Sequence, residues 1–185
     1  FGDTQGEPLL VSARSGAKIS MPGMMDTILN LGLNDETVLS FARAKNNEGL
    51  AWDSYRRLIQ MFSDVVLGVE KTGFEEILER KKKELNVKYD VELNSADLKD
   101  LVIKFKEYVR GKTRREFPQD VHQQLEMSIN AVFLSWDNQH AIEYREREKI
   151  PHNLGTAVNV QEMVFGNSGK NSGTGVGFTR NPSTG

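Results

Sequence analysis

The sequence predicts a mixed α/β fold, with helices through the middle of the chain and strands near its two ends. Residues 8–13 form a short apolar run that suits a buried strand. From Asn34 to Pro151 apolar side chains recur at the three- and four-residue spacing of amphipathic helices. After Pro151 the pattern changes to β-branched residues and glycine-rich turns, which favour strands.

The first strand and the segments that follow it can be assigned in order. Residues 14–26 are predicted to be a loop because they contain both glycine and proline. Asp35 is placed to cap a short helix that extends to Ala44. A longer helix is predicted from about residue 51 to residue 67, because its apolar side chains share one stripe: Trp52, Tyr55, Ile59, Phe62 and Val66.

Two further helices are predicted before Pro118. The first, at about residues 74–85, is heavily charged, and its basic run at residues 80–83 is expected to face solvent. The second begins near Ser95. Its expected buried face consists of Leu98, Leu101, Val102, Phe105, Tyr108 and Val109.

Two more helices complete the predicted helical region. Pro118 suits a first helical position. After it, apolar residues repeat at helical spacing: Val121, Leu125, Ile129, Val132, Phe133 and Trp136. His122 and Met127 flank this stripe and are expected at the surface or its boundary. Asn138 can cap a last helix, rich in Arg and Glu, whose charges are expected to pair in water.

Residues 151–185 are predicted to form a glycine-rich β-hairpin. Residues 156–165 supply the first strand, residues 166–171 the turn, and residues 172–179 the second strand. Bare glycine backbone allows a phosphate to approach closely. However, the sequence matches neither the phosphate loop that ends in Gly-Lys-Ser/Thr nor the dinucleotide fingerprint. A phosphate-binding hairpin and a hairpin without a ligand therefore both remain open.

Composition and charge argue against several classes of protein. The 24 basic and 26 acidic residues give a net charge of -2, without the electrostatic footprint of a nucleic-acid binder. Cysteine is absent, and the three histidines are far apart in sequence, so neither a zinc site nor a catalytic triad is expected. No apolar run approaches the roughly 20 residues that cross a bilayer. We expect a soluble, cytoplasmic chain with no membrane partner, with a plastid or other organelle as the open alternative.

Two arginines are candidates for binding an anion. Arg14 follows the predicted buried strand, so the sheet would define its position, and an arginine fork suits phosphate oxygens. Arg57 lies on the second predicted helix. Each also has an ordinary interpretation, Arg14 as a surface residue at a strand end and Arg57 as the partner of Asp53 or Asp64 at helical spacing.

Six strings of residues carry a more specific signal through their order and spacing. They are Val11-Ser-Ala-Arg-Ser-Gly-Ala17, the stretch from Met21 to Asn34, the stretch from Trp52 to Phe62, Gly155-Thr-Ala-Val-Asn-Val-Gln161, Met163-Val-Phe-Gly-Asn167, and Ser172 through Gly185. Together they resemble the nucleotide-binding domain of the pyruvate, phosphate dikinase family across essentially the whole chain. The Pro-Gly-Met-Met-Asp-Thr segment favours this family over the phosphoenolpyruvate synthases.

This resemblance implies an ATP-grasp fold, in which two lobes enclose ATP. Residues 34–118 would be a helical insertion, and residues 151–185 a hairpin over the nucleotide. The family interconverts ATP, phosphate and pyruvate with AMP, pyrophosphate and phosphoenolpyruvate through a phosphohistidine on a separate domain of the same full-length protein. The resemblance also implies Mg²⁺ and a homodimeric full-length protein.

The resemblance further implies roles for individual residues. Arg14 and Arg57 match arginines that contact ATP phosphates and would act in the transfer step. Thr174, flanked by Gly173 and Gly175, matches the threonine over the nucleotide. Gln161 matches a strand position near the adenine.

The chain also departs from the family pattern. Lys18 stands where the family often has arginine, which keeps the charge but loses the planar fork. The family's upstream lysine and its downstream carboxylate and Leu-Gln-Thr-Arg segments, which complete the metal and nucleotide site, have no counterpart here. We therefore expect a fragment that binds ATP weakly or not at all by itself. The alternatives are a related dikinase, such as phosphoenolpyruvate synthase or glucan, water dikinase, and a non-catalytic helical interaction module around residues 34–150.

Overall fold

The structure consists of a short antiparallel sheet covered by helices. It is a computed structural model, and it describes residues 1–181 and 183–185. The strands are β1 (Val11–Ser15), β2 (Thr27–Leu31) and β3 (Val158–Glu162), in the order β2-β1-β3. Both neighbours run antiparallel to β1. The mixed α/β prediction is confirmed, and the first strand lies slightly later than residues 8–13.

Six α-helices lie between β2 and β3, where the sequence predicted them. They are α1 (Thr37–Lys45), α2 (Glu48–Val65), α3 (Lys71–Leu85), α4 (Ser95–Thr113), α5 (Val121–Leu134) and α6 (Gln139–Glu148). Single 3₁₀ turns come after α3, α5 and α6, at Asp90–Glu92, Ser135–Asp137 and His152–Leu154 respectively. Each helix is thus confirmed in position, while several details at the helix ends differ from the prediction.

The predicted cap of α1 was wrong by one residue. Asn34 Oδ1 accepts hydrogen bonds from the backbone N–H groups of Glu36 and Thr37, at 2.9 and 2.7 Å. The Asp35 carboxylate instead accepts a hydrogen bond from the Tyr55 hydroxyl at 2.8 Å and forms an ion pair with Lys106 at 2.6 Å. Asparagine and aspartate can both bend back onto the N–H groups two and three residues later, but the Asp35 carboxylate is engaged by Tyr55 and Lys106 and is not available as a cap.

The predicted start of α5 was also early. Pro118 precedes the helix, and Asp120 is the residue that caps it, accepting from the backbone N–H of His122 at 2.8 Å. Asn138 does precede α6, but its side chain makes no cap hydrogen bond and donates instead to Asp26 at 3.1 Å. Tertiary contacts therefore redirect polar side chains that local sequence would assign to caps.

Strand β2 was missed by the sequence analysis. Asn30 interrupts the strand with a left-handed backbone (φ 62), and the pairing with β1 is irregular between Val11 and Ala13. Asparagine adopts this conformation more easily than other residues that carry a Cβ. A bulge of this kind breaks the two-residue alternation on which strand prediction depends.

One large apolar core joins the sheet to the helices. Helix α2 packs on β2, α5 packs on β1, and α4 packs on α2. Paired residues Ala13 and Ile28 of the sheet are fully buried. The buried face of α2 is equally closed to solvent, with Tyr55, Leu58, Ile59 and Phe62. The sheet therefore has one face buried under helices.

A second, smaller core lies apart from the first. Its buried residues are Met21, Trp136 and Ile150, and Ala17, Met24, Met25 and Tyr144 pack against them. The loop at residues 16–26 therefore packs against the end of α5 and against α6. Trp136 belongs to this core rather than to the α5 stripe on which the sequence placed it.

Several charged and polar residues are more buried than the sequence suggested. Arg145 of α6 is 1% exposed, although the charges of this helix were expected to face water. Lys81 and Lys82, in the basic run of α3, pair with Asp100 at 3.0 Å and Asp90 at 3.2 Å. On α5 the buried face includes Gln124, Ser128 and Val132, whereas Phe133 is exposed. The expectation of solvated charge on α3 and α6 was therefore wrong for these residues.

The predicted hairpin in residues 151–185 is not formed. Strand β3 pairs with β1, and residues 172–179, all of which the structure describes, adopt no strand. Glycines at alternate positions lose more backbone entropy in a strand and offer no side chain to a neighbour. β1 presents side chains on both faces and is the better partner for β3. Pro182, part of the last family-like string, lies outside the described residues.

None of the helices in the described part of the chain is both long enough and apolar enough to cross a membrane.

The packing of α4 on α3 supplies a test of the core. Phe105 is fully buried, with its ring 4.9 Å from that of Phe74, whereas Ile103 on the same helix is 57% exposed. We expect Phe105→Ala to lower the free energy of unfolding by about 3–5 kcal/mol because it leaves a cavity. Ile103→Ala, the matched control, should cost less than about 1 kcal/mol. Urea denaturation measures both, and equal effects would contradict this assignment of the buried face.

Candidate functional site

Arg14 lies on the opposite face of β1 from the buried Ala13, because successive side chains of a strand alternate. Its cross-strand neighbours are Thr27 on β2 and Asn159 on β3. The Arg14 side chain is exposed, and its Nη2 donates to Gln161 Oε1 at 3.0 Å. Two of the residues predicted from the sequence are therefore in direct contact.

Gln161 is itself held by β1. It pairs with Ser12 in the ladder, and the Ser12 hydroxyl donates to the Gln161 backbone oxygen at 3.3 Å. Gln161 offers Arg14 a neutral acceptor, and within the described residues no carboxylate lies within ion-pair distance of Arg14. The Arg14 guanidinium is thus oriented without being neutralised, which suits it to an anion.

Arg57 has a different environment. Its Nε pairs with Asp53 Oδ2 at 2.8 Å, which is one of the two helical pairings that the sequence left open, and its side chain is 59% exposed. The other Asp53 oxygen accepts from Arg56 Nη2 at 2.7 Å. Arg56 is 3% exposed and also reaches Asp90 at 3.2 Å. Asp53 therefore bridges a buried arginine and an exposed one.

A cavity of about 800 Å³ opens between β2, α2, α3 and the segment that follows β3. Its apolar lining comprises Leu29, Met61, Leu78, Met163 and Phe165. Its charged lining comprises Asp53, Arg56, Arg57, Asp64, Lys71, Glu75, Glu79 and Asp90. Arg57 lines this cavity, whereas Arg14 and Gln161 lie outside it. The two predicted arginines therefore do not line the same cavity.

The charges of the cavity are mixed in sign. Burial raises the pKa of Asp64; Lys71 opposes this shift, while the negative charges of Asp26 and Glu75 add to it. The pKa of Lys71 is raised by its hydrogen bond and ion pair with Glu75, whose oxygen lies 3.0 Å away. Ionisation of Asp64 is therefore disfavoured in the folded protein.

The glycine-rich segment folds back on itself at Gly166. A Cβ on Gly166 would come within 1.7 Å of Thr174 Oγ1 and 2.8 Å of the Gly173 backbone. By contrast, Gly169 has open space around it. The structure records no hydrogen bond from Thr174 to Arg14, Gln161 or Arg57 among the residues it describes. Among the described residues, Thr174 therefore makes no direct hydrogen bond to the other predicted site residues.

The described residues contain no group of three or more His, Asp or Glu side chains placed to hold a metal ion.

The described fold belongs to the mixed α/β class, which is compatible with a nucleotide-binding domain. The chain belongs to the family described as pyruvate phosphate dikinase, AMP/ATP-binding domain, which it matches over residues 1–185.

Individual relatives agree with this assignment. The chain is 59% identical to pyruvate, phosphate dikinase of Clostridium symbiosum, over 100% of this chain and 21% of the relative. It is 55% identical to the Giardia intestinalis protein of that name, with the same coverage. It is 56% identical to chloroplastic pyruvate, phosphate dikinase 1 of Arabidopsis thaliana, over 97% of this chain and 18% of the relative. The chain thus spans about a fifth of the length of the curated relatives it matches.

The sequence analysis missed most of the cavity wall. Met163, Phe165 and Asn167 line the cavity and directly follow Gln161 on the chain. Met163 and Phe165 are two residues apart, which is the alternation of an extended segment with one face turned inward, whereas Asn167 lies in the turn at Gly166. That signal was present in the sequence. Helix α3 also lines this cavity, but it meets segments that are distant in sequence, and no local pattern of residues predicts that contact.

Asp64 supplies a test of the cavity's electrostatics. Because its folded pKa is raised, ionisation costs more in the folded than in the unfolded state, so Asp64→Asn should stabilise the protein slightly at pH 7. The gain should disappear as the pH falls below about 3.9, the unfolded carboxyl value. Urea denaturation at both pH values measures it. Glu76→Gln, which removes an exposed carboxylate outside the cavity, is the control and should show no such gain.

Proposed function

We propose that this chain is the ATP-binding part of a longer phosphotransferase. It passes a phosphoryl group from ATP towards a histidine on another domain of the same protein, in the interconversion of ATP, phosphate and pyruvate with AMP, pyrophosphate and phosphoenolpyruvate. The observation that carries the proposal is the Arg14–Gln161 contact at 3.0 Å in a chain of this family. The proposed fold is ATP-grasp, with residues 34–118 as a helical insertion and residues 151–185 over the nucleotide.

Arg14 is proposed to bind the ATP phosphates. Gln161 Oε1 occupies one of its N–H donors and leaves others for phosphate oxygens. Because its acceptor is neutral, the positive charge of Arg14 stays available as charge develops on the transferring group. From its position on β3, Gln161 would thereby orient Arg14 and also lie near the adenine.

Arg57 is proposed to exchange its ion pair with Asp53 for a contact with an ATP phosphate. The Arg57 side chain is 59% exposed, and an ion pair at such an exposed position contributes little to the stability of the fold. When Arg57 turns to a phosphate, Asp53 keeps its hydrogen bonds to the buried Arg56. The exchange therefore leaves no buried charge without a partner.

Gly173, Thr174 and Gly175 are proposed to lie over the nucleotide. The threonine hydroxyl and the neighbouring backbone N–H groups are suitable donors to phosphate oxygens. Glycines on both sides of Thr174 remove side chains that would obstruct this approach.

The proposal also covers groups that lie outside this chain's own residues. The resemblance implies Mg²⁺, but the described residues assemble no ligand set for it, so no step is assigned to a metal here. The histidine domain and homodimer formation are likewise proposed for the longer protein. The proposed compartment is the cytoplasm, with a plastid as the alternative because a relative 56% identical is named chloroplastic.

Two alternatives make different predictions. A related dikinase would use the same arginines with a different final acceptor, and the chain's match to the pyruvate phosphate dikinase family disfavours it. A non-catalytic helical module around residues 34–150 would need neither Arg14 nor Arg57. Only local stability would then change when either residue is replaced.

The central test is ATP-dependent phosphorylation of the acceptor histidine by the full-length protein. Arg14→Ala and Arg57→Ala should each slow this transfer, Arg14→Ala by roughly a hundredfold, since each removes a positive charge from the transition state. Arg80→Ala removes an exposed arginine of α3 that does not line the cavity, and it should leave the rate unchanged. Rapid-quench labelling with radioactive ATP measures all four proteins.

If all the folded arginine variants transfer phosphate as the wild type does, the arginines are structural and the proposed roles fail. If the wild type transfers nothing from ATP, the proposed function itself fails.

The glycine-rich segment can be tested separately. Gly166→Ala should displace Thr174 because the added methyl overlaps its hydroxyl and meets the Gly173 backbone. Where Thr174 binds the nucleotide, the KM for ATP should rise roughly tenfold. Gly169→Ala adds the same methyl in open space and is the matched control. Equal KM values for the two variants would argue against a role for this fold-back in ATP binding.

A further inference from the structure

A buried arginine on α6 has no part in the proposed chemistry. The Arg145 guanidinium lies 4.1 Å from the centre of the Trp136 ring and is 1% exposed. Its Nη1 donates to the Trp136 backbone oxygen, and its Nε donates to His152 Nδ1 at 3.1 Å. Asp137, the carboxylate nearest to it among the described ion pairs, is 3.8 Å away and mostly exposed.

The contact with His152 defines the state of that ring. Arginine has donors but no acceptor, so Nδ1 must carry the lone pair and the proton must lie on Nε2. The Trp136 indole N–H also donates to the His152 backbone oxygen at 3.1 Å. Two hydrogen bonds therefore tie the 3₁₀ turn His152–Leu154 to α6 and to the turn that precedes it.

Apolar packing alone does not explain this arrangement. A buried charge is strongly destabilising unless hydrogen bonds and close partners compensate for it. The planar fork of Arg145 satisfies three groups that lie in different directions, the Trp136 oxygen, the His152 nitrogen and the Trp136 ring. A lysine has no such fork, and a methionine would make neither hydrogen bond.

The cluster lies where the chain approaches and leaves the Arg14–Gln161 pair. Ala17 and Met21, in the loop after Arg14, pack in the same small core as Trp136. Ile150, in the segment before β3, is buried there too. The two segments are joined directly by the Gly16 N–H, which donates to the Ala157 oxygen at 2.7 Å.

We propose that Arg145 is a positioning residue for ATP. By tying His152 to Trp136, it fixes the loop that leaves Arg14 and the segment that leads into β3, and so it sets the geometry of the Arg14–Gln161 pair. The inference rests on the proposed function, because the pair must bind ATP for its geometry to matter. It adds a residue distant in sequence from both members of the pair.

The test uses the full-length protein with Arg145→Met, Arg145→Lys and His152→Ala. Arg147→Met is the matched control, since Arg147 lies on the same helix with a side chain 71% exposed. The readouts are the KM for ATP in ATP-dependent phosphorylation of the acceptor histidine, and the rate of phosphorylation of that histidine from phosphoenolpyruvate. The second reaction, under the proposed function, does not use this domain.

The expected result is a KM for ATP raised roughly tenfold to a hundredfold by Arg145→Met, because small displacements of a binding group have effects of that size. Arg145→Lys should not restore it. His152→Ala should raise it less, and combining it with Arg145→Met should add little, since both remove the same contact. Phosphorylation from phosphoenolpyruvate and all properties of Arg147→Met should match the wild type.

An unchanged KM for ATP in folded Arg145→Met would overturn the inference. If that variant does not fold, His152→Ala decides, because its side chain is at the surface and its loss should leave the core intact. A wild-type KM in His152→Ala would then overturn the inference. In either case the wild type still transfers phosphate from ATP, which separates this failure from failure of the proposed function.

Discussion

The two-residue alternation of β1 is the constraint on which the rest of the structure depends. In five residues this strand buries Ala13 beneath the helices, exposes Arg14 on the opposite face, and pairs with a strand on each side. A shift of register by one residue would exchange the two faces, placing a charge in the core and a methyl at the surface. The packing of α2 on β2 and of α5 on β1 holds that register, so the core of the domain also determines where Arg14 points.

The arginines of this chain show how helical phase separates structural charges from available ones. Arg56 and Arg57 are adjacent in sequence, yet one is buried and the other is on the surface of α2, and Asp53 contacts both. Arg145 and Arg147 repeat this contrast on α6. Each residue of a helix is rotated by about 100° from the one before, and this rotation is enough to bury one guanidinium and expose the next. Residue type alone therefore does not tell which arginine is free to meet a ligand.

The sequence predicted the helices well because each carries its own apolar stripe, a signal complete within a few turns. The family-like strings named Arg14 and Gln161 as separate site candidates, but they did not predict the direct hydrogen bond between them, which joins residues 147 positions apart. The sequence did not predict β2, where Asn30 breaks the alternation, and it paired β3 with the wrong segment. Strand partners are chosen by competition among distant segments, which no local window contains. The burial of Arg145 was missed for the same reason, since Trp136 and His152 come from other elements.

The pairing of β1 with β3 has a consequence for how the domain folds. It joins residues 11–15 to residues 158–162, with all six helices in between. Closing so long a loop costs chain entropy that only prior compaction can reduce. The helices, built from local contacts, can assemble first, and contacts of large sequence separation are slow to form. During synthesis, all six helices must be made before the partner strand of Arg14 exists. The Arg14–Gln161 contact can therefore form only after these helices have been made.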